Sequence, residues 1–149
     1  MIEKHISKAD LGWTAGIIDG EGCISIVIRN RRKKTNNLPE HQLHIYCQSK
    51  TKSMQDKLRC LWGGSVLFCT DKRQNRADTW KWCIVSKDAA LLLSCILPYL
   101  VVKKDHAKLA LLFRKSVDSG SHFLSVKDCE LREKLYGDMR KLNRRGKIA

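Results

Sequence analysis

Apolar positions change their period several times along the chain, and each change marks an element. Between Lys8 and about Ile18 the spacing is helical, with Leu11, Ala15 and Ile18 on one side and Gly12, Gly16 and Asp19 on another. Ser7 stands where an N-cap belongs, with Asp10 completing an approximate capping box, and the glycines at 20 and 22 are expected to stop the helix. Period two takes over in "CISIVIRNR", Cys23 to Arg31, with Ile24, Ile26 and Ile28 on one face and Ser25, Val27 and Arg29 on the other. "RRKKTNNLPE" reads as a turn or long hairpin loop. A second strand follows from Gln42 to Gln48, with Leu43, Ile45 and Cys47 inward and His44, Tyr46 and Gln48 outward.

Helical spacing returns from Lys50 to Trp62, closed by Gly63-Gly64. Two strands, Ser65 to Thr70 and Thr79 to Val85, flank the basic loop "DKRQNRAD". Three helices complete the pattern: Ser86 or Lys87 to Leu97, ended by Pro98, then Lys104 to Val117, then Lys127 to Leu142 after the break "SGSH". The order α-β-β-α-β-β-α, with further C-terminal helices, predicts one α+β domain spanning residues 1–149 with antiparallel hairpins. The α-β-β arrangement occurs twice, as a repeat of structure and not of sequence.

Charge narrows the partner. Lys and Arg number 29 against 15 Asp and Glu, a formal net charge of +14, which suits a polyanion: nucleic acid or an anionic membrane surface. The longest apolar stretch, Ala89 to Val102, contains Ser94 and Pro98 and is shorter than the roughly 18 residues of a membrane span. The N-terminus has no long apolar region typical of a secretory signal. The expectation is an intracellular protein, without a membrane partner, that works on nucleic acid.

The seven cysteines form no CxxC pair, and their odd number leaves one over in any disulfide scheme. Most lie in apolar runs, so reduced, buried thiols are expected. His41, His44 and Cys47 are the best zinc candidates, but on a strand His44 faces away from the other two. Trp80 and Trp82 are expected to pack in the core.

The stretch "GWTAGIIDGEGCISI" sets Asp19 and Glu21 among glycines at a helix-to-strand junction. A phosphate-binding glycine loop requires the reverse order, a strand followed by glycines that open a helix. A carboxylate at a helix C-terminus lies near the negative end of the dipole and near free carbonyls, which favours a hard divalent cation with oxygen ligands. Glu21 and the carbonyl of Gly20 are therefore candidate metal ligands, against the alternative of a solvated helix end. Asp19 is expected to order the turn or to cap a partner helix.

"TAGIIDGEG", residues 14–22, resembles the LAGLIDADG motif of homing endonucleases. Ala15, Gly16, Ile18, Asp19 and Gly22 match it letter for letter, while Glu21 stands in place of the motif's metal-binding aspartate. "LPYLVVKKDHAKLAL", residues 97–111, is similar to a downstream segment of that family in which a proline precedes an active-site lysine by five residues, which selects Lys103. "QSKTKSMQDKLRCLWGG" resembles the segment whose strand-end glutamine joins the active-site water network; that selects Gln48, with Lys52 peripheral, or Ser49 and Ser53 if the register shifts. "LYGDMRKLNRRG" also resembles single-motif members.

The resemblance implies a sheet saddle on double-stranded DNA and a homodimer packed through the face of Gly12, Gly16 and Asp19. It further implies cleavage dependent on Mg²⁺ or Mn²⁺, with Glu21 and Gly20 at the metal, and with Lys103 and Gln48 at the water or the developing charge. DNA contacts are expected from Ser25, Arg29, His44 and Tyr46 on the strands and from Arg31, Arg32, Lys33, Lys72, Arg73, Gln74 and Arg76 in the loops. Lys33, Lys34 and Lys72 suit phosphates. The competing expectation is a relative without nuclease activity, either an intron RNA maturase or a DNA-binding regulator.

Overall fold

The computed structural model describes residues 5–29, 39–73, 76–119 and 125–144. The predicted hairpin loop with Arg31, Arg32, Lys33 and Lys34, and Gln74 in the second loop, lie outside the described residues. The elements run α1 (Lys8–Glu21), β1 (Gly22–Arg29), β2 (Glu40–Ser49), α2 (Lys52–Trp62), β3 (Ser65–Cys69), β4 (Thr79–Val85), α3 (Ser86–Ile96), a 3₁₀ turn (Leu97–Tyr99), α4 (Lys104–Asp118) and α5 (Val126–Arg144).

The α1 N-terminus is capped as the sequence predicts: the Asp10 N–H donates to Ser7 Oγ at 3.1 Å, and that hydroxyl donates to the Asp10 carboxylate at 2.9 Å. The other end departs from expectation. Helix α1 continues through Gly20 to Glu21 and passes directly into β1 at Gly22, whose backbone is extended. A Cβ on Gly22 would stand 2.8 Å from the Cα and 2.9 Å from the carbonyl oxygen of Ile18, so only glycine permits this close turn. Gly20 does not end the helix.

The four strands are antiparallel in the order β1-β2-β4-β3. The two α-β-β units thus meet at β2 and β4, with β1 and β3 at the edges. Alternation assigns the faces. Ile24, Ile26, Leu43, Ile45, Cys47, Trp82 and Ile84 are buried among Ala15 and Ile18 of α1, Leu58 of α2, Leu92 and Leu93 of α3, Phe113 of α4 and Met139 of α5. Each fully buried branched aliphatic side chain contributes about 1.5–3 kcal/mol in transfer terms. Trp82 donates Nε1–H to the Gly63 carbonyl at 2.9 Å, tying the end of α2 to β4.

Some expectations need correction. Ile28 lies on the inward side but is exposed at the end of β1. Trp80 shares the face of Trp82 but sits at the sheet margin, half-buried, with the Phe68 ring 4.9 Å away and Lys52 Nζ 4.8 Å from its centroid. Of the seven cysteines expected to be buried, only Cys47 is; Cys60 is exposed and the other five are half-buried. His41 turns inward and meets Glu133 of α5 at 2.8 Å, while His44 lies on the opposite face of β2. Among the described residues no helix is long and apolar enough to cross a membrane.

Candidate active site and nucleic-acid interface

Glu21 is the last residue of α1, and its side chain is exposed. Among the described residues no hydrogen bond or ion pair engages its carboxylate. Gly22 pairs with Cys47 in the ladder, so Gln48 is the residue on β2 next beyond the pair on the Glu21 side. Gln48 points outward and donates Nε2–H to Thr79 Oγ1 at 2.6 Å, which leaves its carbonyl oxygen outside that bond. Ser49, the alternative register, turns the other way. Its hydroxyl accepts from the Thr51 N–H and from Gln55 and donates to the Thr51 carbonyl, ordering the approach to α2.

Lys103 comes from the turn before α4, more than eighty residues away in sequence. Its ammonium donates to the carbonyls of Ile18 at 2.8 Å, Asp19 at 3.0 Å and Gly22 at 2.6 Å. The Ile18 carbonyl also accepts the Gly22 N–H, the Asp19 carbonyl is one that a helix C-terminus leaves without a helical partner, and Gly22 opens β1; a cation there also opposes the dipole of α1. Asp19 answers in the other direction. Its carboxylate accepts the backbone N–H groups of Val101 at 2.8 Å, Val102 at 3.1 Å and Lys103 at 2.9 Å. Asp19, expected to order the turn or to cap a partner helix, directs its carboxylate to the turn before α4 of its own chain. Beneath the junction the buried Cys47 thiol is pushed up to about 12, first by burial; the Lys103 charge pulls it down and that of Glu21 raises it.

Gly12 and Gly16 leave the outer side of α1 flat: a Cβ at either would meet nothing within 4 Å.

The outward face of the sheet forms a grid. One row holds Cys23, Tyr46, Cys83 and Ser65; another holds Gln48, Lys81 and Leu67; a third holds Ser25, His44 and Val85. Tyr46 lies under Lys81 Nζ, 4.2 Å from its ring centroid. Its phenol is pushed up to about 12 by a hydrogen bond with Cys23 and then by burial. His44 is held below its usual range by burial first, then by the charges of Arg29 and Lys81. Its Nε2 lies 2.9 Å from Gln42 Oε1, Gln42 Nε2 donates to Ser86 Oγ at 2.9 Å, and Cys83 Sγ lies 3.9 Å from His44 Nδ1. With Gln42 donating to Ser86, its amide oxygen faces His44, an arrangement that the Nε2–H tautomer satisfies.

Arg76 joins Gln48 around a hollow of about 330 Å³ whose lining also includes Lys50, Cys69, Thr70 and Asp71. Arg73 is held by Asp71 through Nε–H and Nη2–H at 3.0 and 3.1 Å, and this pairing keeps the Asp71 carboxyl below the usual carboxylate range. Lys72 beside it is exposed. Arg29 stands opposite Glu40 at the far end of β1.

Of the residues singled out in the sequence, Ser25, Arg29, His44 and Tyr46 share the outward face of the sheet, Arg76 lies beside Gln48, and Lys72 and Arg73 lie in the loop after β3. The sequence reading misses Gln42, Thr79, Lys81, Cys83 and Leu67, which share that sheet face. The signal was present in "TWKWCIV", where inward Trp82 and Ile84 require Lys81 and Cys83 to face out.

No known family's sequence profile matches the chain, and no curated protein matches it. Solved structures do. The homing endonuclease I-CvuI, crystallised with a DNA target and Mg, superposes with a TM-score of 0.74 at 21% identity, over 91% of this chain and 82% of that one. The archaeal intron-encoded homing endonuclease I-Vdi141I, complexed with DNA, gives 0.74 at 16% identity over 90% of this chain and 84% of that one. The LAGLIDADG homing endonuclease I-SmaMI, bound to cleaved DNA, gives 0.70 at 15% identity, over 93% of this chain but 47% of its own length. With α1 carrying the motif-like segment into β1 and an antiparallel sheet open on one face, the chain has the LAGLIDADG homing endonuclease fold.

Proposed function

We propose that the chain is a homodimeric endonuclease dependent on Mg²⁺ or Mn²⁺, making a staggered cut in a long, pseudo-palindromic site in double-stranded DNA. The observation that carries this reading is Glu21: an exposed carboxylate without a partner among the described residues, at the end of α1 and beside an open, basic sheet face. The neighbours with this fold, in complex with DNA, support the substrate class.

The donor chemistry fits the ion. Hard divalent cations take oxygen ligands, and the Glu21 carboxylate and the Gly20 carbonyl are of that kind. Among the described residues no group of three or more His, Cys, Asp and Glu side chains could hold one metal ion. One chain would supply part of the ligand set, with phosphate oxygens of bound DNA as the complement. A bound metal supplies Lewis acidity at the scissile phosphate and an acidified water. Gln48, anchored through Thr79, would have its amide oxygen available to accept a hydrogen bond from such a water. Gly12 and Gly16 let a second α1 approach closely, so that two Glu21 residues serve two strands. The sheet face and its adjoining loop hold the duplex: Lys72 and Arg76 suit phosphates, and Ser25, Tyr46 and Lys81 suit base edges.

The test is cleavage of a randomised duplex library in Mg²⁺ by the wild type and by Glu21→Gln. Metal-dependent cuts at a two-fold-related site, abolished in the variant while binding persists, support the nuclease. A site selected and bound but never cut returns the protein to the regulator or maturase class.

A further inference from the structure

We propose that Lys103 is a positioning residue, which holds the last turn of α1 so that the Gly20 carbonyl and the Glu21 carboxylate are set for a divalent ion. This rests on the metal-dependent reading of Glu21. The sequence directs attention to Lys103 as a charge near the scissile phosphate, but the geometry assigns its protons elsewhere. An ammonium has three protons. Ile18, Asp19 and Gly22 supply three carbonyl acceptors, all at 3.0 Å or less. None is left for a phosphate oxygen unless the cage opens.

The cage also selects which carbonyls remain. Lys103 binds those on either side of the Gly20-Glu21 pair and neither of the pair's own. With 18, 19 and 22 pinned, the peptide units between them have little rotational freedom. Glycine at position 20 would otherwise be the most mobile link in the turn. The second half of the clamp, the Asp19 carboxylate on the N–H groups of residues 101–103, fixes the base of the Lys103 side chain in turn. A compact ammonium on a flexible stem suits three carbonyls converging from one helix end. A planar guanidinium, which presents donors in a rigid fork, does not.

Lys103→Arg and Lys103→Gln separate this role from charge stabilisation. Three readouts are taken beside wild type and Glu21→Gln: amide hydrogen exchange over residues 18–23 of the DNA-free protein, binding of Mn²⁺ by paramagnetic resonance in the presence of a mixed-sequence duplex with Glu21→Gln as the background, and cleavage. Positioning predicts that Lys103→Arg, although still cationic, exchanges faster over 18–23 and loses about 10- to 100-fold in Mn²⁺ affinity, the usual effect of removing a group that orients a metal ligand. Lys103→Gln behaves likewise. The proposal is overturned if Lys103→Arg keeps wild-type exchange and Mn²⁺ affinity. It is also overturned if Lys103→Gln loses cleavage while exchange and affinity stay unchanged. A wild-type protein that binds no Mn²⁺ and cuts no DNA ends the nuclease reading and the metal half of this one, while the exchange comparison still decides the clamp.

Discussion

Lys103 donates its backbone N–H to the carboxylate of Asp19 at 2.9 Å and its ammonium to the carbonyl of the same residue at 3.0 Å. One pair of residues thus joins the end of α1 to the start of α4. An aspartate near a helix C-terminus opposes the dipole of its own helix, but here the carboxylate meets the positive end of another, with Lys103 at the N-cap. Lys103 makes no side-chain cap of its own there, and Asp19 binds the N–H of the N-cap residue and of the two residues before it. Asp19→Ala should cost about 1–2 kcal/mol, the range of a lost N-cap. Asp19→Asn, with one acceptor oxygen, should recover part of it. Urea midpoints at an unchanged slope measure both; an alanine variant as stable as wild type contradicts the clamp.

The two glycines around Glu21 should respond oppositely to alanine. A methyl on Gly22 runs into the Ile18 backbone, which cannot move without distorting α1, whereas one on Gly20 meets nothing within 4 Å. Gly22→Ala is expected to destabilise by about 1–3 kcal/mol through overpacking. Gly20→Ala should stabilise by about 0.5–1 kcal/mol because it sits within a helix. Equal effects at the two positions, read from thermal or urea unfolding, contradict the direct passage from α1 into β1.

His44 gives stability a pH dependence of known sign. Burial, then Arg29 and Lys81, depresses its proton affinity below the ordinary value of 6.5, so the unfolded chain takes up its proton at higher pH than the folded one. The unfolded state therefore binds more protons in that window, and stability rises with pH across it. The contribution is full above about pH 6.5 and is lost as pH falls toward the folded value. His106, depressed by burial and by Lys103, acts in the same direction. Protonation of His44 would also turn Nδ1 into a donor facing Cys83. His44→Gln should therefore lose less stability than wild type between about pH 7.5 and about pH 5. A variant as pH-sensitive as wild type in urea unfolding removes His44 from the account.

What the sequence disclosed and what it withheld follow the range of the forces involved. The face of each strand is a local matter of period two, so Ile24, Ile45 and Cys47 inward and Tyr46 and Gln48 outward were all readable. The Ser7 cap was readable for the same reason, since its partner is three residues away. Gly20 misled because helix propensity is a weak prior, and tertiary bonds from Lys103 carry α1 past it. Resemblance selected Lys103, but nothing local could show that its ammonium serves carbonyls more than eighty residues earlier. The depth of the thiols was equally hidden. Composition places cysteine in apolar runs, but only the sheet's position relative to the helices buries Cys47 and leaves Cys60 in solvent.

The flat side of α1 leads to the remaining prediction. Thr14, Ala15 and Ile18 bury one side of this helix, and half-buried Gly12 and exposed Gly16 lie on the other, where an added Cβ would meet nothing within 4 Å beyond the helix's own turn. Glycine lowers helix stability by about 0.5–1 kcal/mol relative to alanine, so its repetition on an outer face has no advantage within one chain. It does have one where a second helix must come within about 8 Å, because a side chain would hold the backbones apart. Gly16→Leu should thus leave the fold intact and raise the monomer's own helix propensity, while pushing a second α1 away. The expected result is native circular dichroism, a monomer in sedimentation velocity where wild type is a dimer, and loss of double-strand cleavage. If Gly16→Leu sediments and cleaves as wild type does, this face of α1 is not where two copies meet.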